Sequence, residues 1–256
     1  MEYNIGDYVT RNSYNNDTIF KIMKIVDDIY YLKGVEVRLY ADSKKEDLKK
    51  YDEIIKDDDL LFRNEKIIND KDYFYLPGKI LHIDGDDEYL EKCLKFYKKN
   101  NVYAIGKKVK EEDMYNQIHS LLNKYNPDIL VITGHDAYYK KKGSIKDNSN
   151  YKNTKNFIKA VNVARSYENS HEKLVIIAGA CQSNYEELIK SGANYASSPK
   201  RINIHALDPA IIAVNIALTE RNKEINLKKM LDLTKYGSDG MGGLQSNGLM
   251  YVGYPR

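Results

Sequence analysis

Residues 128–136 read DILVITGHD, and residues 173–183 read KLVIIAGACQS. Each stretch contains a run of aliphatic residues without polar alternation, which is typical of a strand buried on both faces in a parallel sheet. Each run stops at a glycine, and one reactive side chain follows: His135 after the first run and Cys181 after the second. Ligands bind at the carboxyl ends of strands in open α/β sheets. An imidazole and a thiol at that edge indicate a site for nucleophilic acyl transfer.

Residues 79–256 alternate buried strand patterns with amphipathic helix patterns. This alternation predicts a doubly wound α/β domain with a mostly parallel sheet and helices on both faces. If its five strands follow the flavodoxin-like order 2-1-3-4-5, His135 and Cys181 lie at the ends of adjacent strands. Besides the two stretches above, strands are expected at 79–84, 102–106 and 193–197, and helices at 87–99, 111–125, 154–167, 184–191 and 209–219. The glycine-rich residues 236–248 are expected to form a surface loop.

Residues 1–41 have a different pattern, with short strand-like runs separated by tight-turn sequences such as Asn15–Asn16–Asp17 and Lys33–Gly34. Close-spaced short strands predict a small SH3-like β-barrel. Such a module could bind or dock a partner, or it could stabilise the chain without binding a ligand. Its strands are expected at 8–10, 18–26, 29–32 and 35–39. Residues 42–78 are rich in Lys, Asp and Glu, which indicates a charged linker or a weakly packed helical excursion.

The composition excludes several classes of protein. The chain has 256 residues, with 40 Lys and Arg against 37 Asp and Glu, so its charge gives no reason to expect nucleic-acid binding. Two cysteines are too few for a disulfide framework, and the N-terminus lacks the pattern of a signal peptide. The apolar runs are shorter than the roughly 20 residues of a spanning helix, so cytoplasmic synthesis is expected. Scattered histidines and the absence of a phosphate-binding loop predict neither a metal nor another cofactor.

Cys181 is the best candidate nucleophile. Small residues precede it, and a helix expected to begin near Asn184 would favour its thiolate form. The alternative is a buried cysteine that packs as a small apolar residue. His135 is the candidate general base, and His205 is its rival because it follows the next strand. Cys93 lies on the apolar face of a predicted helix and is expected to be structural.

Backbone and carboxylate groups complete the predicted site. The oxyanion of an acyl-transfer intermediate needs fixed hydrogen-bond donors, and the backbone amides of Asp136 and Cys181 are placed to supply them. Asp84 and Asp86 end the first predicted strand at the same edge. They could simply form a turn around Gly85. Alternatively they could line an acidic pocket that selects Arg or Lys at the cleaved position.

Longer blocks of sequence resemble the sporulation-specific YabG peptidase family. These blocks are IGDYVTRNSY at 5–14, RLYAD at 38–42, ITGHD at 132–136, AGACQS at 178–183 and GANYASSPKRINIHALDP at 192–209. The resemblance implies a protease of endospore-forming bacteria that processes spore-coat and related spore proteins. It also implies a location in the mother cell and the spore coat. The family's proposed cysteine nucleophile matches Cys181.

A strand ending in His and another ending in Ala-Cys is also similar to the caspase, legumain and gingipain group of cysteine peptidases. That resemblance implies a caspase-like sheet, a Cys–His dyad, and a residue at the end of the first strand that lines the pocket for the cleaved residue, here Asp84 or Asp86. In that group a glycine usually follows the histidine, whereas here Asp136 does. The resulting hypothesis is a cysteine endopeptidase. The alternatives are a small-molecule Cys–His hydrolase of amidotransferase type and a non-enzymatic flavodoxin-like scaffold.

Overall fold

A computed structural model describes residues 3–52 and 72–255. The chain divides into two compact units, Met1–Asp59 and Leu60–Arg256. None of the helices among the described residues combines the length and the hydropathy needed to cross a lipid bilayer.

The N-terminal unit is built on one antiparallel sheet. Its strands are β1 (Tyr8–Arg11), β2 (Phe20–Val26), β3 (Ile29–Gly34), β4 (Tyr40–Lys44) and β5 (Leu48–Lys50). The five strands follow the order β4-β3-β2-β1-β5. Asp27 and Asp28 both have positive φ between β2 and β3, as the two central residues of a type I′ hairpin turn require. The core of this unit consists of Val9, Phe20, Ile22, Tyr30, Leu32 and Leu48.

This sheet extends beyond the boundary expected at residue 41. β4 crosses the expected boundary and β5 lies within the expected linker. Their exposed positions include Lys and Asp, which made the range look like a linker, whereas Ser43 and Leu48 are buried. The strand expected at 35–39 is instead a turn, in which the Leu39 N–H donates to the Val37 carbonyl over 2.8 Å. Residues 53–71 of the expected linker lie outside the described residues.

The second unit is organised around a six-stranded sheet. The strands of the whole second unit are β6 (Phe74–Leu76), β7 (Ile80–Asp84), β8 (Ala104–Lys108), β9 (Ile129–Thr133), β10 (Val175–Ala178), β11 (Tyr195–Ser197), β12 (Met241–Gly243) and β13 (Tyr251–Gly253). β7 to β12 form the sheet, in the order β12-β11-β10-β9-β7-β8, and β6 pairs with β13 separately. β7 to β11 are parallel and β12 is antiparallel. The flavodoxin-like order of the five parallel strands is therefore confirmed.

Helices cover both faces of this sheet. They are α1 (Asp87–Lys99), α2 (Met114–Tyr125), α3 (Thr154–Tyr167), α4 (Tyr185–Lys190), α5 (Asp208–Leu218), α6 (Leu227–Leu231) and α7 (Gly237–Gly240). α1 and α5 pack in one buried cluster, and α2, α3 and α4 pack in a second cluster on the other face. The bounds predicted for α1 and α3 are confirmed. α1 begins where expected because the Asp86 carboxylate accepts the N–H groups of Glu88 and Tyr89.

The glycine-rich residues 236–248 form a loop only in part, because α7 and β12 lie within them. Residues 241–243 form β12, which pairs with β11 at the edge of the sheet. A side chain at Gly243 would overlap the Tyr195 ring and lie 2.5 Å from the Asn194 carbonyl oxygen. These glycines therefore allow close approach of two strands rather than a flexible turn.

Candidate active site

Three neighbouring parallel strands end at one edge of the sheet. Asp84 pairs with Thr133 across β7 and β9, and Ala178 pairs with Ile132 across β10 and β9. His135 comes two residues after β9, and Cys181 comes three residues after β10. The carboxyl ends of β7, β9 and β10 thus carry the side chains on which the sequence hypothesis depends.

The His135 ring lies between an aromatic ring and a carboxylate. Its Nε2 is 3.2 Å from Asp86 Oδ2, and its centroid is 5.7 Å from that of Tyr89. The side chains of His135 and Asp86 are only 12% and 7% exposed. A neutral His135 that donates from Nε2 to this carboxylate keeps Nδ1 as its unprotonated nitrogen.

Asp86 is fixed from the other side by α1. Its Oδ1 accepts the N–H of Glu88 at 3.0 Å and that of Tyr89 at 3.2 Å, while Oδ2 faces His135. One carboxylate therefore caps the helix and orients the imidazole. The sequence hypothesis placed Asp86 in a substrate pocket, and in this conformation its carboxylate contacts His135.

Asp84 is fully buried among polar groups. Its Oδ2 accepts the Thr133 hydroxyl at 2.7 Å and its Oδ1 accepts the Asp86 N–H at 2.9 Å. His82 Nε2 lies 2.7 Å from the same Thr133 hydroxyl, and its Nδ1 lies 2.9 Å from the Tyr97 hydroxyl. His82 is thus a hydrogen-bonded histidine of the core, and Asp84 supports the turn after β7.

The Asp136 side chain joins the two loops that carry His135 and Cys181. Its Oδ1 accepts the N–H groups of Ala137 and Asn153, and its Oδ2 accepts the hydroxyls of Thr154 and Ser183. Burial raises the pKa of this carboxyl above its ordinary value, although each of these hydrogen bonds acts in the opposite direction. From the sequence, only the backbone amide of Asp136 was expected to take part in the site. Three of the four partners of its side chain are 17 or more positions away, so no local motif indicates this role.

Two further residues contact the His135 backbone. The His135 N–H donates to Glu111 Oε1 over 2.7 Å, and its carbonyl accepts Asn153 Nδ2 at 2.8 Å. Sequence reasoning missed both residues. Glu111 was expected only as the first residue of the helix at 111–125, and it lies in a 3₁₀ turn before α2.

Cys181 is completely buried in this conformation. Its Sγ accepts the Ile204 N–H at 3.3 Å and lies 3.7 Å from the Ile204 carbonyl oxygen. Ile204 belongs to residues 198–205, which we call the cover segment. The backbone N–H of Gln182 further donates to the Ile202 carbonyl over 3.0 Å, which ties the cysteine loop to the cover segment.

Three residues at this contact have a positive φ, a backbone conformation that non-glycine residues rarely adopt. Gln182, Ser198 and Arg201 have φ values of 58°, 63° and 56°. Each such residue costs on the order of 1 kcal/mol relative to an ordinary conformation. Their location beside Cys181 matches the general tendency of strained backbone to occur at functional sites and switch regions.

His205 and Cys93 both contact neighbouring backbone groups. The Nδ1 of His205 accepts the Leu207 N–H at 3.2 Å, and the His205 backbone N–H donates to Asp208 at the start of α5. Cys93 is buried on α1 with its Sγ 3.4 Å from the Ala206 carbonyl oxygen, as expected for a packing residue. A surface cleft of about 710 Å³ lies elsewhere, around α6, and none of the predicted site residues lines it.

A parallel sheet with reactive side chains at its carboxyl edge is typical of an α/β enzyme, and comparison with known proteins defines the class as peptidase. The family model described as YabG peptidase U57 matches residues 4–60 and 51–255. The chain belongs to this YabG peptidase family. It is 43% identical over 286 aligned residues to the sporulation-specific protease YabG of Bacillus subtilis (strain 168), an alignment that covers 100% of this chain and 99% of that protein. No solved structure matches the chain.

Proposed function

We propose that this chain is a cysteine endopeptidase that processes spore-coat and related spore proteins during sporulation. Family membership supports peptide-bond hydrolysis, and the name of the Bacillus subtilis relative supports the sporulation role. The observation that carries the cysteine class is the position of His135 and Cys181 after the adjacent parallel strands β9 and β10. The proposal includes cytoplasmic synthesis and action in the mother cell and the spore coat.

In the proposed mechanism Cys181 Sγ attacks the carbonyl carbon of the scissile bond. His135 accepts the Cys181 thiol proton as the sulfur attacks and passes that proton to the departing amine, which leaves a thioester between the substrate acyl group and Cys181. His135 then removes a proton from water, and the resulting hydroxide releases the acyl group and restores the thiol. The backbone amides of Asp136 and Cys181 stabilise the oxyanion in both steps. The contact between Asp86 and His135 supports the mechanism, because a carboxylate that holds one nitrogen of the imidazole fixes the orientation of the ring.

This mechanism requires the cover segment to move away from Cys181. The thiol is buried beneath Ile204, so a peptide bond can reach it only after these contacts open. The three positive-φ residues at the contact support such a movement, since opening would relieve their strain. Burial of the thiol also favours the opposing interpretation, in which Cys181 is a packing residue. Mutation separates the two interpretations.

The experiment compares Cys181→Ala, His135→Ala and Cys93→Ala on a purified spore-coat protein. We expect the first two variants to lose cleavage and the Cys93 variant to retain it, because Cys93 lies on α1 within the core. Circular dichroism checks that each variant is folded. A folded Cys181→Ala protein that cleaves the substrate at the wild-type rate would show that another group is the nucleophile.

We further propose that the enzyme prefers Arg or Lys at the cleaved position, with Asp84 or Asp86 supplying negative charge. Both carboxylates are close to the carboxyl edge of β7, but each already contacts a neighbouring side chain. Peptides that differ only in having Arg, Lys, Asp or Leu at the cleaved position test this specificity. Higher kcat/KM for Arg and Lys is expected, and a preference for Asp or Leu would rule out the acidic pocket.

The proposal extends to the architecture of both units. The sheet of the second unit would be caspase-like, and the strand order β4-β3-β2-β1-β5 supports an SH3-like barrel in the first unit. Such a barrel would act as a docking module for protein substrates or for the spore coat.

A further inference from the structure

Glu111 occupies a slot between two glycines at the carboxyl edge of the sheet. Gly85 follows β7 and Gly134 follows β9, and a Cβ atom built on either glycine would overlap the Glu111 carboxylate. The carboxylate therefore fits only because both positions lack a side chain. In this slot its Oε1 accepts the His135 N–H at 2.7 Å.

Asn153 contacts the His135 backbone at its carbonyl oxygen. Its Nδ2 donates to that oxygen over 2.8 Å, and its Oδ1 accepts Asn156 Nδ2 at 3.1 Å, so the amide orientation is defined. The peptide bond is planar, and the carbonyl of His135 shares its plane with the N–H of Asp136. A donor that fixes the carbonyl thus also fixes the direction of the Asp136 N–H.

We propose that Glu111 and Asn153 are positioning residues that together act as a clamp on the His135 backbone. Glu111 fixes the peptide before the histidine, and Asn153 fixes the peptide after it. The clamp sets the position of the imidazole relative to Asp86 and the direction of the Asp136 N–H toward the oxyanion. This role rests on the proposed cysteine peptidase mechanism. Neither residue belongs to the stretches of sequence that contain His135 and Cys181.

The clamp predicts a direct effect on the His135 amide that does not depend on proteolysis. Hydrogen bonding to Glu111 should slow exchange of the His135 N–H with solvent. Glu111→Ala should accelerate this exchange by at least about tenfold, and Glu111→Gln should retain most of the protection because its amide oxygen still accepts. The matched control is Glu112→Ala, since Glu112 is an exposed neighbour in the same turn.

The clamp also predicts a specific kinetic pattern for these variants. A displaced catalytic group can cost about 100-fold in rate, so Glu111→Ala should lower kcat by about 10- to 100-fold with little change in KM. Glu111→Gln should restore kcat to within about fivefold of wild type, because the acceptor is retained. Gly134→Ala offers a second route, because its new methyl group would displace the Glu111 carboxylate without removing it.

The outcomes separate the clamp from the proposed function. If Glu111→Ala and Gly134→Ala leave both the His135 exchange rate and kcat unchanged, the clamp is wrong, even when Cys181→Ala is inactive. If exchange accelerates but Cys181→Ala still cleaves substrate, the cysteine mechanism is wrong while the backbone contact stands. Equal loss of kcat in the Glu111→Ala and Glu111→Gln variants would contradict the hydrogen-bond basis of the clamp.

Discussion

The two carboxylate oxygens of Asp86 contact different partners, and substitution by asparagine tests these two contacts separately. In Asp86→Asn the oxygen can still accept the N–H groups at the start of α1, but an NH₂ group then faces His135 Nε2. We expect at least about a tenfold fall in kcat/KM with little change in thermal stability. Asp86→Ala should in addition lose about 1 kcal/mol of stability with the helix cap. Unchanged kcat/KM in the Asn variant would exclude an orienting role for the carboxylate.

Asp136 predicts a pH dependence of stability. Burial raises its pKa in the folded protein above the ordinary value of 3.8, so the folded state binds this proton more tightly than the unfolded state. The contribution of this group to the free energy of unfolding is therefore fully present below pH 3.8, and it is lost as pH rises through the raised pKa. Asp136→Asn keeps a hydrogen-bonding amide at this position and cannot titrate.

The measurement is the urea midpoint of wild type and Asp136→Asn across the acidic to neutral range. The stability of wild type relative to the variant should decline as pH rises, because only the wild-type group loses its proton. Asp208, whose pKa is also raised by burial, is present in both proteins and cancels in the comparison. Parallel midpoint curves for the two proteins would contradict this account of Asp136.

At the level of secondary-structure elements, the cover segment between β11 and α5 contacts Cys181, and we expect it to limit access to the sulfur. Ile204 is fully buried and contacts the sulfur through its backbone, and its side chain belongs to the same apolar cluster. Ile204→Ala should loosen this contact, at a cost of about 2–5 kcal/mol in stability. In a Cys93→Ala background, alkylation of the remaining thiol by iodoacetamide should become at least about tenfold faster.

The control for this experiment is Leu244→Ala, which truncates an exposed apolar side chain next to β12. This variant should leave the alkylation rate at the wild-type value. If Ile204→Ala is folded and its thiol reacts no faster than in the background protein, the cover segment does not limit access to Cys181.

Elements with strong local patterns could be predicted from the sequence, and elements defined by distant contacts could not. α1 has an acidic N-cap at Asp86 and a regular apolar face, so its bounds were correct. β5 is a short strand of mostly charged residues, and only its pairing with β1 makes it a strand. The glycines of β12 predicted a loop, because the sequence does not indicate that Tyr195 will pack against Gly243.

For the whole molecule, strand order decided how much of the site could be foreseen. Alternating strands and helices predicted the order that makes β9 and β10 neighbours, and this placed His135 and Cys181 at one edge. The clamp residues were not foreseen, because Glu111 and Asn153 contact His135 from 24 and 18 positions away. The burial of Cys181 was expected only as the alternative to a nucleophile, and the residue that covers it was not foreseen, because Ile204 is 23 positions away in the chain.

In the proposed mechanism Cys181 attacks the substrate carbonyl with His135 as its base. The most direct measurement uses a peptidyl-arginine acyloxymethyl ketone, which forms a thioether with an activated cysteine, followed by mass spectrometry of the digested protein. We predict stoichiometric modification of Cys181, parallel loss of peptidase activity, and no modification of Cys93 or of the His135→Ala variant. Complete inactivation with the label on any residue other than Cys181 would contradict the account.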